Sequence, residues 1–256
     1  MNFSRKTAIV LLFFACAFVI SFLKIPGRWL FAEVSESYLR ILYNYLLGCI
    51  PLLIALVLLG WRQKSMPSLG LRPGGIGRGL LFAAVAVLPM FAGAAITGKI
   101  NSGLTAEKIV TSVVIAGFFE ELFFRGFLFG LLFRYCRWGF IPALLINGIP
   151  FGLLHLYQEH DLLSSLAVFG ATAAGALLFS WLYAEWRYNL WVPVFMHMLM
   201  NLSWTLFIVS PDAAGGWSAN LFRFATVVLA VAATIWYKAR HHIPYEITWR
   251  TMLHKR

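Results

Sequence analysis

The sequence predicts an all-α fold, a polytopic transmembrane helical bundle of about eight helices with both termini cytoplasmic. Three observations predict it. Of the 256 residues, 61% are hydrophobic and 12% are charged, whereas a soluble domain sits near about half apolar and about a quarter charged. Apolar runs long enough to span a bilayer recur along the chain, divided by short polar breaks. The net charge of +11 is distributed among loops as the positive-inside rule requires. It is not gathered in the arm or stripe of a nucleic-acid binder.

The spans are expected at roughly 7–23, 38–60, 79–97, 109–133, 140–158, 162–184, 190–209 and 218–237. The first opens with a basic tip and an apolar core, and Ala15 to Ala17 ("ACA") resembles a signal-peptide cleavage site. The apolar run continues to Leu23, so an uncleaved helix is expected. Placing both ends inside puts 14 Lys and Arg in cytoplasmic segments, among them Arg62, Arg187, Lys238 and Arg256. Five fall outside: Lys24, Arg28, Arg40, Lys99 and Lys108. Arg125 and Arg223 stay within spans, Arg223 near enough to a helix end to snorkel. The outer loops also carry Glu159, Asp161 and Asp212.

The longest cytoplasmic linker, "RQKSMPSLGLRPGGIGRG", contains Gly75, Gly77 and Gly79. No strand precedes these glycines and no Gly-Lys-Ser/Thr follows, so a phosphate loop is excluded and a flexible surface linker is expected. In "GATAAGA", Gly170 and Ala174, or Ala171 and Gly175, are spaced for close helix approach. Cys16, Cys49 and Cys136 form no spaced framework, which argues against disulfides and a cysteine metal site. The chain divides into N-terminal helices and linker (1–104), a core (105–210), and a last helix with a basic tail (211–256).

The core holds the residues that are hardest to place in a bilayer. "FFEELFFRGF" sets Glu120, Glu121 and Arg125 inside an apolar span. Each such charge costs about 2.5–3.5 kcal/mol at a helix centre, and intramembrane ionisable groups are functional by default. Glu121 and Arg125 are four apart and can pair. Glu120 is turned about 100° away, free to serve elsewhere. Further on, Phe151 and His155 in "PFGLLH", and His197 and Asn201 in "HMLMN", are four apart and should share helix faces. Pro150 would kink its helix and open backbone groups to a shared cavity.

A carboxylate, two imidazoles and an amide suit peptide hydrolysis. Glutamate acts as general base toward water, and an imidazole orients that water or protonates the departing amine. A histidine and an asparagine can donate to the developing oxyanion. With Glu120, His155 and His197 as ligands, the same groups could instead hold zinc, although no "HExxH" is present.

The three stretches "EELFFR", "FGLLH" and "HMLMN" together resemble the ordered EExxxR, FxxxH and HxxxN motifs of the CPBP family. These are the CAAX-processing and bacteriocin-processing intramembrane proteases, also called type II CAAX prenyl endopeptidase-like or Abi proteins. The resemblance covers about residues 105–210. It implies an intramembrane endopeptidase of the glutamate type, a family also labelled metal-dependent. Glu120 would activate water with His155, His197 and Asn201 would form the oxyanion hole, and Glu121, Arg125 and Phe151 would support them. No cofactor is then required, a divalent metal such as zinc being the alternative. The partners implied are the lipid bilayer and a membrane-associated or lipidated protein or peptide, with no nucleic acid. Apart from the resemblance, the simplicity of the chain, with no targeting additions, suggests a bacterial plasma membrane. A non-catalytic immunity or scaffold protein retaining the polar core is the rival reading. A proton-relaying transporter is a third, disfavoured because no inverted repeat is visible.

Overall fold

A computed structural model describes residues 2–22, 37–61, 64–156, 161–210 and 213–255. Among these the protein is the predicted all-α bundle, its helices ordered as the apolar runs require. They are α1 (Phe3–Phe22), α2 (Ser37–Leu58), the short α3 (Ser65–Leu69), α4 (Ile76–Ala86), α5 (Leu88–Thr97), α6 (106–135), α7 (Phe140–Leu153), α8 (Leu162–Glu185), α9 (Trp191–Leu206) and α10 (Trp217–Arg240). Among the described residues five stretches are long and apolar enough to cross a membrane: Phe3–Phe22, Tyr38–Leu58, Ser65–Thr97, Leu162–Glu185 and Trp217–Arg240. The protein is therefore a multi-pass membrane protein. Of the loop charges used to orient it, Lys24, Arg28, Arg62, Glu159, Asp212 and Arg256 lie outside the described residues.

The expected span 79–97 is two helices. Pro89 sits in the first turn of α5 and cannot donate its missing N–H to the turn before, so the helix is interrupted at Val87. Helix α6 is the centre of the bundle, and every residue from Glu121 to Phe133 is buried. Thr105 begins it by accepting a hydrogen bond from the Lys108 amide. Two stretches, Val110–Ile115 and Glu121–Phe129, wind as wider π turns with i→i+5 bonding. Aromatic side chains fix α6 against α1 and α2: Phe124 meets Phe14 edge-on at 5.4 Å, and Phe119 stacks on Tyr45 at 5.0 Å. A two-residue ladder, Lys99–Ile100 (β1) against Phe207–Ile208 (β2), ties the end of α5 to the end of α9.

Two expectations are corrected. The segment after α2 is folded rather than a flexible linker. Leu190 N–H donates to Gly70 O, Arg134 donates to Ser68 O at 2.6 Å, and Asn189 donates to Gly75 O. Gly70 adopts φ +88°, and a Cβ there would meet Tyr188 O at 2.3 Å, so the contact requires glycine. Gly75 and Gly79 pack against Asn189 and Trp191. In α8, side chains at Gly170 or Gly175 would meet open space; the close approach to α7 falls at Ala176 against Gly148 and Phe169 against Gly152. Arg223, in the second turn of α10, reaches back past the start of its helix: its guanidinium stacks over Trp204 at 4.4 Å and donates to Ala214 O.

The basic tail is folded too. Lys238, expected in a solvated cytoplasmic segment, is 2% exposed and paired with the buried Glu185. From there residues 241–255 run back across this end of the bundle to the start of α7, where Trp138 and His254 form an isolated bridge.

Candidate active site

The site is built on α6, where its two glutamates have different surroundings. Glu121 has no exposed side-chain surface and holds Arg125 by a 3.0 Å contact from Nη1 to Oε1. The Arg125 guanidinium lies over Phe151 of α7 at 4.3 Å and near Phe179 of α8 at 5.4 Å. A buried cation is thus held by one carboxylate and two aromatic faces. Glu120 keeps 14% of its side-chain surface exposed and faces the ring of His197.

His197 connects the two glutamates. Its Nδ1 lies 2.8 Å from Glu121 Oε1, and its Nε2 lies 4.0 Å from Glu120 Oε2. A carboxylate can only accept, so Nδ1 carries a proton and donates to Glu121. The ring stacks on Phe179 at 5.5 Å, which fixes its plane. Glu121 serves Arg125 and also orients the histidine that Glu120 faces.

His155 is not on the helical face expected for it. α7 ends at Leu153, and His155 sits in the following turn with its amide bonded to Gly152 O. Its Nδ1 is 2.8 Å from Phe151 O, and its ring lies 4.8 Å from the Phe151 ring. Pro150 lies inside α7, and helical bonding resumes after it from Leu154 N–H to Pro150 O. Asn201 is one turn beyond His197 on α9, donating one amide hydrogen to Ser112 O at 2.8 Å. That carbonyl belongs to the first π stretch.

His155, Phe151, Arg125, Glu121, His197 and Glu120 therefore form one unbroken series of contacts, with Asn201 beside it. Two participants escaped the sequence reading. Phe179 is one apolar residue among many in α8, and Ser112 contributes only its carbonyl. Nothing in either side chain signals its place. The π turns are equally silent, although such turns recur at functional sites.

Among the described residues no three His, Cys, Asp or Glu side chains converge as a metal-binding group. Glu120 and His197 approach each other, and Nδ1 of His155 lies against Phe151 O. The three cysteines are unbonded to one another.

Searches among curated proteins and among solved structures return no match. A protein-family model does match: residues 102–203 fit the type II CAAX prenyl endopeptidase Rce1-like family. The matched segment holds α9 through His197 and Asn201 as well as α6 and α7, and hence every residue of the contact series. Over that segment, about two-fifths of the chain, the protein is similar to this family of CAAX-type endopeptidases.

Proposed function

We propose that the protein is an intramembrane endopeptidase that hydrolyses a peptide bond of a membrane-associated, prenylated protein or peptide. The observation that carries this is the inequality of two adjacent carboxylates. Glu121 is sealed and neutralised by Arg125, whereas Glu120 is partly exposed and faces His197 Nε2. A structural ion pair needs one of them only.

In this reading Glu120 takes a proton from water as the water oxygen bonds to the scissile carbonyl carbon. The carbonyl π electrons move onto oxygen, where His197 Nε2–H and the second amide hydrogen of Asn201 receive the charge. Collapse re-forms the carbonyl and breaks the C–N bond, and the proton held by Glu120 passes to the leaving amine. Donation from Nε2 while Nδ1 donates to Glu121 requires His197 to be an imidazolium from the outset, and neither of its protons is transferred. Glu121 is placed to stabilise that charge. His155 orients the water from the α7 side. No step is routed through a metal, and the prenyl group is held by lipid-facing helix surface. The membrane is a bacterial plasma membrane.

The test compares peptide termini of membrane proteins in cells bearing wild-type chain or Glu120→Gln at matched expression. A precursor that accumulates uncut in the variant supports the reading and identifies the substrate. Unchanged termini with a persisting cellular phenotype favour the non-catalytic scaffold instead.

A further inference from the structure

The tail after α10 has no part in the chemistry above, yet it is held more firmly than a topological signal requires. Glu185, at the end of α8, has no exposed side-chain surface. Its Oε2 accepts from Lys238 Nζ and from the Glu246 amide, and its Oε1 accepts from the Ile247 amide at 2.9 Å. Lys238 also donates to the Glu185 carbonyl at 3.0 Å. One buried carboxylate therefore fastens α8, α10 and the tail to one another.

A second attachment follows around Tyr188, in the turn between α8 and α9. Its hydroxyl donates to Glu246 and accepts from Lys255 Nζ at 2.7 Å. Burial first, then Glu246, push this hydroxyl above the usual tyrosine range, so it remains a neutral donor. Arg187 and Tyr188 both take left-handed backbone conformations, φ 57° and 58°, in the turn that makes this contact.

The third attachment is to α7. The first N–H groups of a helix lack partners within it. Here Phe140 N–H donates to Thr251 O at 2.8 Å and Ile141 N–H to Met252 O at 2.9 Å. Gly139 permits this approach, since a Cβ there would lie 2.1 Å from the Leu253 carbonyl carbon. The tail thus supplies the N-terminal cap of α7. The opposite end of that short helix carries Phe151, under Arg125, and the turn with His155.

We infer that residues 241–255 are a strap that sets the position of α7 in the active site, with Glu185 as the positioning residue that holds it. The inference rests on the peptidase reading for its catalytic consequence. α8, which Glu185 terminates, also carries the Phe179 that stacks on His197. One fastening at the basic end therefore registers both aromatic walls of the site against each other.

The test uses full-length chain in lipid nanodiscs, an internally quenched farnesylated peptide as substrate, and two independent variants. Glu185→Ala removes the anchor. Gly139→Ala leaves the anchor intact and drives the tail backbone off α7. Both should speed tryptic cutting after Arg250 and raise amide exchange at Phe140 and Ile141 at least about tenfold. The discriminating readout is the far end of α7: exchange at Leu154 and His155 should rise as well. kcat should fall about tenfold with KM changed less than about twofold. Strap release with unchanged kcat and unchanged exchange at His155 overturns the inference, as does a strap that neither variant releases. A wild-type chain that cleaves nothing defeats the peptidase reading alone. The strap is then decided by whether its release is felt at Leu154 and His155.

Discussion

Two buried carboxylate–cation pairs in this molecule are satisfied in opposite ways. Glu121–Arg125 is incompletely hydrogen-bonded: Glu121 Oε2, Arg125 Nε and Arg125 Nη2 have no hydrogen-bond partner among the described residues. Phenylalanine faces surround the guanidinium instead. Glu185–Lys238 has both carboxylate oxygens occupied, by an ammonium and two backbone amides. Aromatic faces attract a cation without fixing its orientation closely, whereas a set of directional hydrogen bonds admits one geometry. The first arrangement lies beside Glu120 and His197, the groups proposed to react, where charge would have to shift. The second lies where three elements of the chain have to be locked.

The comparison can be broken by double substitution. Removing a single partner from either pair leaves an uncompensated buried charge and should lower stability by about 3–5 kcal/mol. Replacing both partners with apolar residues separates the two. Glu121→Leu with Arg125→Met should recover most of that loss, because the aromatic surroundings accept an apolar side chain and His197 can shift its proton to Nε2. Glu185→Leu with Lys238→Met should not recover, because the Glu246 and Ile247 amides lose their acceptor at about 1–3 kcal/mol each. Denaturant unfolding in mixed micelles measures all six variants. Equal recovery by both doubles would show that the pairs are built alike.

Activity sharpens the contrast between the adjacent glutamates. Glu120→Gln should reduce turnover of the farnesylated peptide by about 10²–10⁴-fold while leaving the unfolding midpoint nearly unchanged. Asn201→Leu removes one donor to the oxyanion and should reduce kcat by about 10²–10³-fold. It also releases the Ser112 carbonyl, so its midpoint should fall slightly. A Glu120→Gln chain that turns over normally would make the exposed carboxylate a bystander.

How much of this was legible follows from what the sequence encodes by length and what it leaves to assembly. The spans were readable because a bilayer demands a minimum apolar length, and α1, α2, α8 and α10 match their expected bounds closely. Glu120, Glu121, Arg125, His197 and Asn201 stood out because each is polar where polarity is expensive. The strap left no such trace. Glu185 and Lys238 fall at helix ends, where charge is ordinary, and their pairing over 53 positions is a product of packing. The linker around Gly70 reads as flexible by composition, and only the neighbouring Tyr188 carbonyl shows what its glycine is for. His155 was misplaced by counting four residues along a helix that stops two residues before it.

The smallest effect expected concerns the first turn of α8, which begins on a side-chain cap. Asp161 accepts from the Ser164 amide at 3.0 Å, and hydrogen bonds from the Ser164 backbone and side chain hold its carboxyl below the usual range. A depressed folded pKa contributes stability that is present above the unfolded value and lost as pH falls through the folded one. Exchange of the Ser164 amide should therefore be steady near neutrality and accelerate, beyond its intrinsic pH trend, only below about pH 4. Asp161→Asn keeps an oxygen acceptor without a titrating charge, so it should abolish that acceleration while preserving the cap. If both chains fray alike on acidification, the first turn of α8 is held by packing against α7 and the cap is incidental.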